Sequence, residues 1–185
     1  KVIGVIPARL YSSRFPKKIL HLIDGKPMVV HVYEQALKAK SLDDVIVAID
    51  ADETETSLNE WKVKTIMTSD NHVSGTDRIQ EAVVDIEADV VVNIQGDEPT
   101  INPLLIDELV QQFEDSTIEM ATVAGQDMDV ENIMDVNAVK VLLDGGGFAV
   151  NFRREPVETE AGGYYHHMGI YAYRKATLEK FTALA

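Results

Sequence analysis

Cysteine is absent from the 185 residues, which excludes a disulfide framework, a thiolate metal site and a cysteine nucleophile among them. This lack fits a reducing, cytoplasmic setting, and that is the localisation expected. Aromatic residues are scarce at 6 %, and no apolar run approaches the roughly 20 residues that span a bilayer. No membrane association is expected. Positive charge is also short: 17 Lys and Arg stand against 31 Asp and Glu, a net charge of −14 that disfavours a nucleic-acid-binding surface. Two phosphate-binding signatures are missing as well, the GxGxxG of dinucleotide folds and the Gly-rich loop ending in Gly-Lys-Ser/Thr. A dinucleotide-dependent dehydrogenase is therefore a weak reading.

What the chain does contain is 45 % hydrophobic residues, enough for a real core in a single domain over residues 1–185. The scarce positive charge is unevenly spread. Residues 1–40 hold eight Lys or Arg (Lys1, Arg9, Arg14, Lys17, Lys18, Lys26, Lys38, Lys40) against Asp24 and Glu34. A basic segment on an acidic protein is either a local anion site or a solvated face.

Hydrophobic period and punctuation alternate strand with helix. Val2–Ala8 is a continuous apolar run of strand length and reads as a central, parallel strand. Residues 9–26 read as a long loop. Pro27 suits the first position of a helix to about Lys40. Val45–Ile49, Val63–Met67 and Val90–Ile94 read as further strands, with helices over Asp52–Trp61, Thr76–Ile86 and Pro103–Glu114. The later segments Met120–Gly125, Ala138–Asp144, Phe148–Phe152 and His166–Arg174 follow one another as strands, with a turn at Gly145-Gly146-Gly147, before a helix from Ala176. The fold class expected is α/β: a doubly wound, mostly parallel sheet with antiparallel additions. Ligands of such sheets sit outside the carboxyl ends of the strands.

Polar chemistry concentrates at three of those ends. Pro7 to Lys18 (PARLYSSRFPKK) gathers Arg9, Arg14, Lys17, Lys18 and two serines, suitable partners for a polyphosphate or simply a basic surface loop. Asn71 to Arg78 (NHVSGTDR) holds a helix cap at Ser74 or Thr76, and a cap leaves His72 and Arg78 unexplained. Gln95 to Pro99 (QGDEP) ends a buried strand with two acids, a natural Mg²⁺ site or a solvated turn. Three such segments at three strand ends make coincidence a poor explanation.

The stretches IPARLYSSRFPKKIL, HVSGTDRIQEA, VVNIQGDEP, NAVKVLLD and HHMGIYAYR together resemble the 3-deoxy-manno-octulosonate cytidylyltransferase (CMP-Kdo synthetase) family, over essentially the whole chain. The resemblance implies a nucleotide-diphospho-sugar transferase-like fold. It implies coupling of CTP to Kdo with release of pyrophosphate, Mg²⁺ as cofactor, a homodimer, and a product used in lipopolysaccharide biosynthesis. By motif, Arg14, Lys18 and Asp97 would be catalytic, with Asp97 the metal ligand. Pro7, Ala8, Arg9, Arg14, Lys18, His72, Ser74, Gly75, Arg78 and Gln95 would bind the nucleotide. Gln95, Pro99, Arg154 and His167 would border the sugar.

Departures are visible. The family's Pro-Gly-Lys-Pro-Leu is Pro16-Lys17-Lys18-Ile19-Leu20 here, placing Lys17 close to the expected phosphates. The stretch between Arg154 and Tyr165 is shorter than in many members. Members also continue past the position of Ala185, through a Gly-Val-Asp-Thr-type motif that supplies a second metal ligand, so the expectation is a domain lacking its C-terminal segment. Other readings are a cytidylyltransferase for 8-amino-Kdo or a sialic-type acid, and a non-catalytic CTP-binding fragment.

Overall fold

The computed structural model describes residues 1–11, 15–125, 133–156 and 164–184. In chain order the strands are β1 (Val2–Ala8), β2 (Leu22–Ile23), β3 (Lys26–Pro27), β4 (Asp44–Ile49), β5 (Thr65–Met67), β6 (Val90–Asn93), β7 (Met120–Gly125), β8 (Lys140–Leu143), β9 (Ala149–Arg153) and β10 (Tyr164–Arg174). The helices are α1 (Met28–Ala36), α2 (Asp52–Asn59), α3 (Gly75–Ala82), α4 (Pro103–Gln111) and α5 (Lys175–Thr182). The chain forms two compact units, Lys1–Ala121 with Ile170–Ala185, and Thr122–Gly169.

In the first unit β1 is flanked by β4 and β6, both parallel to it, with β5 parallel outside β4 and the end of β10 antiparallel to β6. The order β5-β4-β1-β6-β10 is that of the expected doubly wound sheet. Chain direction across the sheet reverses at β1, since β4 and β5 lie on one side and β6 on the other. The crevice at the carboxyl ends of β1 and β6 is thus the switch point where such sheets take their ligands.

The reason β1 is central is its composition. Ile3, Val5, Ile6 and Ala8 are all buried, so both faces of the strand are covered. One face carries Ile3, Val5, Ile46, Ala48, Val91 and Tyr173, packed on Ile79, Ala82 and Val83 of α3 and Leu178 of α5. Each fully buried Ile, Val or Leu there contributes about 1.5–3 kcal/mol relative to an exposed position. Helices α1 and α4 pack on β1, β4 and β6 and on each other. Tyr173 is core: its ring stacks on Tyr171 at 6.1 Å, and burial, with the Tyr171 phenol beside it, pushes its hydroxyl up to about 12.

Two expectations need correction. The segment read as a continuous loop contains a 3-10 turn at Lys18–Leu20 and the β2–β3 hairpin. Asp24 and Gly25 both take positive φ, 49° and 79°, as the tight turn of such a hairpin requires. Pro27 stands at the N-cap of α1 rather than inside it, and the helix ends at Ala36, short of Lys40.

The second unit contains β8, β9 and the start of β10, antiparallel to one another. The glycine turn expected between β8 and β9 is present: Gly147 has φ +84°, and Asp144 exchanges backbone hydrogen bonds with Phe148 and Gly147. Lys140 is wholly buried, its ammonium donating to the carbonyls of Asp135 and, at 3.1 Å, Arg154.

Candidate active site

A cavity of about 620 Å³ opens at the carboxyl ends of β1 and β6. All three polar segments reach it: Pro7, Arg9 and Lys18 from the first, His72, Ser74, Gly75 and Arg78 from the second, Gln95 and Asp97 from the third. Parallel strands make this convergence unavoidable, because every β-to-α connection leaves the sheet at the same edge.

At the mouth, Lys18 Nζ donates to Asp97 Oδ2 at 2.5 Å, both side chains being nearly half exposed. Lys18 is aimed here by the 3-10 turn, which Lys17 enters with φ 58° while its N–H donates to the Leu10 carbonyl at 2.9 Å. Lys17 itself turns away. Its ammonium bonds Glu53 Oε1 of α2 at 2.5 Å, which raises its pKa, and it is not on the described cavity wall. The expectation of Lys17 beside the phosphates is corrected by that ion pair. Glu98, next to Asp97, is likewise off the wall; partial burial and the neighbouring Asp97 raise its carboxyl.

The second segment also lines the cavity. Ser74 is the cap of α3, accepting the Asp77 N–H at 3.1 Å and donating to Asp77 Oδ2 at 2.6 Å. His72 Nε2 pairs with Glu81, which also accepts the Ser69 N–H at 3.0 Å; these two contacts hold the Glu81 carboxyl below its usual range. Arg78 is buried, its guanidinium bonded to Thr68 and Asp50.

Four wall residues were not singled out from the sequence: Phe15, Ile19, Val73 and Gly96. Gly96 had a readable signal, a glycine between a buried strand and an acid. A Cβ there would stand 3.1 Å from the Pro7 carbonyl oxygen and 3.5 Å from Ile6 Cγ2, so glycine lets the two strand ends close up. Of the expected nucleotide residues, Ala8 is fully buried and off the described wall, and Arg14 lies outside the described residues. Pro99 is also off the wall.

Arg154 and His167 belong to the second unit. There Arg154 Nη1 donates to the Asn137 carbonyl at 3.3 Å. His167 shares a hydrogen bond of 2.9 Å with Thr122 Oγ1 and packs edge-on against Phe152. Burial first, and His166 second, push its pKa down, which favours the uncharged imidazole. The shortened stretch before Tyr165 falls largely outside the described residues.

Among the described residues no three His, Asp or Glu side chains gather in a metal cage. One half-exposed carboxylate, Asp97, already faces a cation. That donor set suits Mg²⁺, which is held by one or two carboxylates and completes its shell with water and substrate phosphates.

The profile of the cytidylyltransferase family matches residues 3–185. The chain belongs to the cytidylyltransferase family. It is 42 % identical over 192 residues to the 3-deoxy-manno-octulosonate cytidylyltransferase of Chloroherpeton thalassium, covering 100 % of this chain and 78 % of that protein. The enzyme of the same name from Koribacter versatilis is 42 % identical over 186 residues, covering 98 % and 71 %. The solved structure of a CMP:2-keto-3-deoxy-manno-octonic acid synthetase complexed with CTP superposes with a TM-score of 0.94 at 38 % identity, covering 100 % of this chain and 78 % of that one.

Proposed function

We infer that this chain is a 3-deoxy-manno-octulosonate cytidylyltransferase: it joins the cytidylyl group of CTP to Kdo and releases pyrophosphate. The observation that carries the reading is the cavity at the β1/β6 switch point, where Arg9, Lys18 and Asp97 converge in a fold shared with a CTP-bound synthetase.

The reaction is an in-line displacement in which the anomeric hydroxyl of Kdo attacks the α-phosphorus and pyrophosphate departs. No protein nucleophile is needed; positioning and charge stabilisation dominate. Arg9 and Lys18 are the cations that the first segment places on the described wall, and they bind the β- and γ-phosphates and stabilise the leaving pyrophosphate, together with Arg14 of the same segment. Ser74, Gly75, His72, Arg78, Gln95 and Pro7 shape the cytidine end, with Ala8 acting through its backbone, because its side chain is buried. Asp97 would hold Mg²⁺, which when bound would lower the repulsion between two anionic substrates. In this reading Gln95 and Pro99 of the first unit serve the sugar.

Residues 1–185 act as one nucleotidyltransferase domain for this transfer. A homodimer is supported by the exposed Phe148, Val150 and Phe152 on and beside β9. A CTP-consuming step fits the cytoplasm, and its product suits lipopolysaccharide assembly. The test is pyrophosphate release from CTP and Mg²⁺ with Kdo, 8-amino-Kdo or a sialic acid supplied in turn. Release with Kdo above the other two is expected. CTP binding by calorimetry without release on any acid sugar overturns the assignment.

A further inference from the structure

We propose that Asp50 is a positioning residue for the CTP site, joining Arg78 to the backbone that introduces the cationic segment; the proposal rests on the CTP reading above. Asp50 follows β4 directly, and its side chain is only 11 % exposed. Its two oxygens face different elements. Oδ1 accepts the Leu10 N–H at 2.8 Å, and Oδ2 accepts from Arg78 Nη2 at 2.9 Å.

The contacts continue in both directions. Arg78 Nη1 donates to Thr68 Oγ1 at 2.6 Å, and that hydroxyl donates to the Ile49 carbonyl at 2.7 Å. The Leu10 carbonyl accepts the Lys17 N–H at 2.9 Å. The Asp50 carboxylate therefore ties the chain after β1 and β4 to Arg78 of α3, and Arg78 in turn ties it to Thr68 after β5. The Leu10 peptide is held on both sides, with Arg9 immediately before it and Lys18 immediately after its partner.

Charge makes this tie directional. Arg78 is 2 % exposed, and an uncompensated guanidinium at that depth is strongly unfavourable. Asp50 keeps it paired and oriented at the cavity wall. Hydrogen bonds to charged groups are short and directional, so one carboxylate fixes both the loop entry and the guanidinium plane. Small displacements at such a base are felt at the phosphates.

The test compares Asp50→Asn, Asp50→Ala and a core control, Leu178→Ala, each assayed well below its own melting temperature. Asp50→Asn keeps an acceptor for Leu10 and loses the charge facing Arg78; Asp50→Ala loses both. The expected result is a KM for CTP raised about tenfold or more in Asp50→Ala, with an intermediate rise in Asp50→Asn and kcat within about threefold. Leu178→Ala should lower the melting temperature without moving KM. Equal KM in Asp50→Asn and wild type, or a KM shift in Leu178→Ala matching theirs, overturns the proposal. Should Asp50→Ala not fold, Asp50→Asn alone decides. A wild-type chain that shows no CTP binding by calorimetry would instead remove the functional reading beneath it.

Discussion

Lys18 and Asp97, 79 positions apart in the chain, meet at 2.5 Å across the mouth of the β1/β6 cavity. In the free protein the ammonium proposed to face phosphates and the carboxylate proposed to hold a divalent ion neutralise each other. Both are nearly half exposed, so the pair itself is worth about 0–1 kcal/mol and costs little to open.

Lys18→Gln should therefore leave the melting temperature unchanged while damaging the reaction. If Lys18 stabilises the departing pyrophosphate as proposed, its loss lowers kcat/KM by about a hundredfold. Steady-state kinetics beside a thermal melt checks both halves. A large fall in stability with normal kinetics would make Lys18 a structural residue.

Asp97→Asn separates binding from chemistry. The amide keeps the shape of the side chain and loses the charge that a hard cation needs. Turnover should fall by about a thousandfold or more, with CTP affinity in the absence of Mg²⁺ within about threefold of wild type. Calorimetric titration with CTP, then with Mg²⁺ at saturating CTP, gives the two numbers. Near-normal turnover removes Asp97 from the metal role.

The parallel part of the sheet was legible because β1, β4 and β6 are mostly apolar runs separated by helices, so the candidate ligand edge followed from period together with the rule that such sheets bind at the carboxyl ends of their strands. The three polar segments followed from that edge. Less legible was what each side chain does once there. Lys17 and Lys18 are neighbours of the same type, and only the left-handed turn at Lys17 sends one to Glu53 and the other to Asp97. The β2–β3 hairpin had a local signal in Asp24-Gly25, yet strands of two residues leave no period to read. Asp50 was invisible because its value lies in partners 40 and 28 positions away.

Gly96→Ala tests whether close approach of the two strand ends matters. The added methyl group would meet the Pro7 carbonyl at 3.1 Å, backbone that gives way only by moving β1 or the Asp97 segment. Either movement separates Asp97 from the cations, and kcat/KM is expected to fall by about tenfold. Gly145→Ala, with no atom within 4 Å of the new Cβ, is the matched control and should leave activity unchanged. Equal activity in the two variants would show that the cavity tolerates the shift.

Glu81 links the cavity wall to the pH dependence of stability. The His72 hydrogen bond first, and the Ser69 N–H second, hold its carboxyl below the usual 4.5. The folded state thus binds fewer protons than the unfolded one between the two values, and stability falls as pH falls through that window. The contribution is complete above pH 4.5 and lost below the depressed value. It is small, because the side chain is 40 % exposed and solvent screens the pair. Glu81→Gln should melt below wild type at pH 7, with the gap closing as pH drops under 4.5. Melts at matched ionic strength across that range measure the gap, and a difference that stays constant with pH would assign the stabilisation to packing rather than to charge.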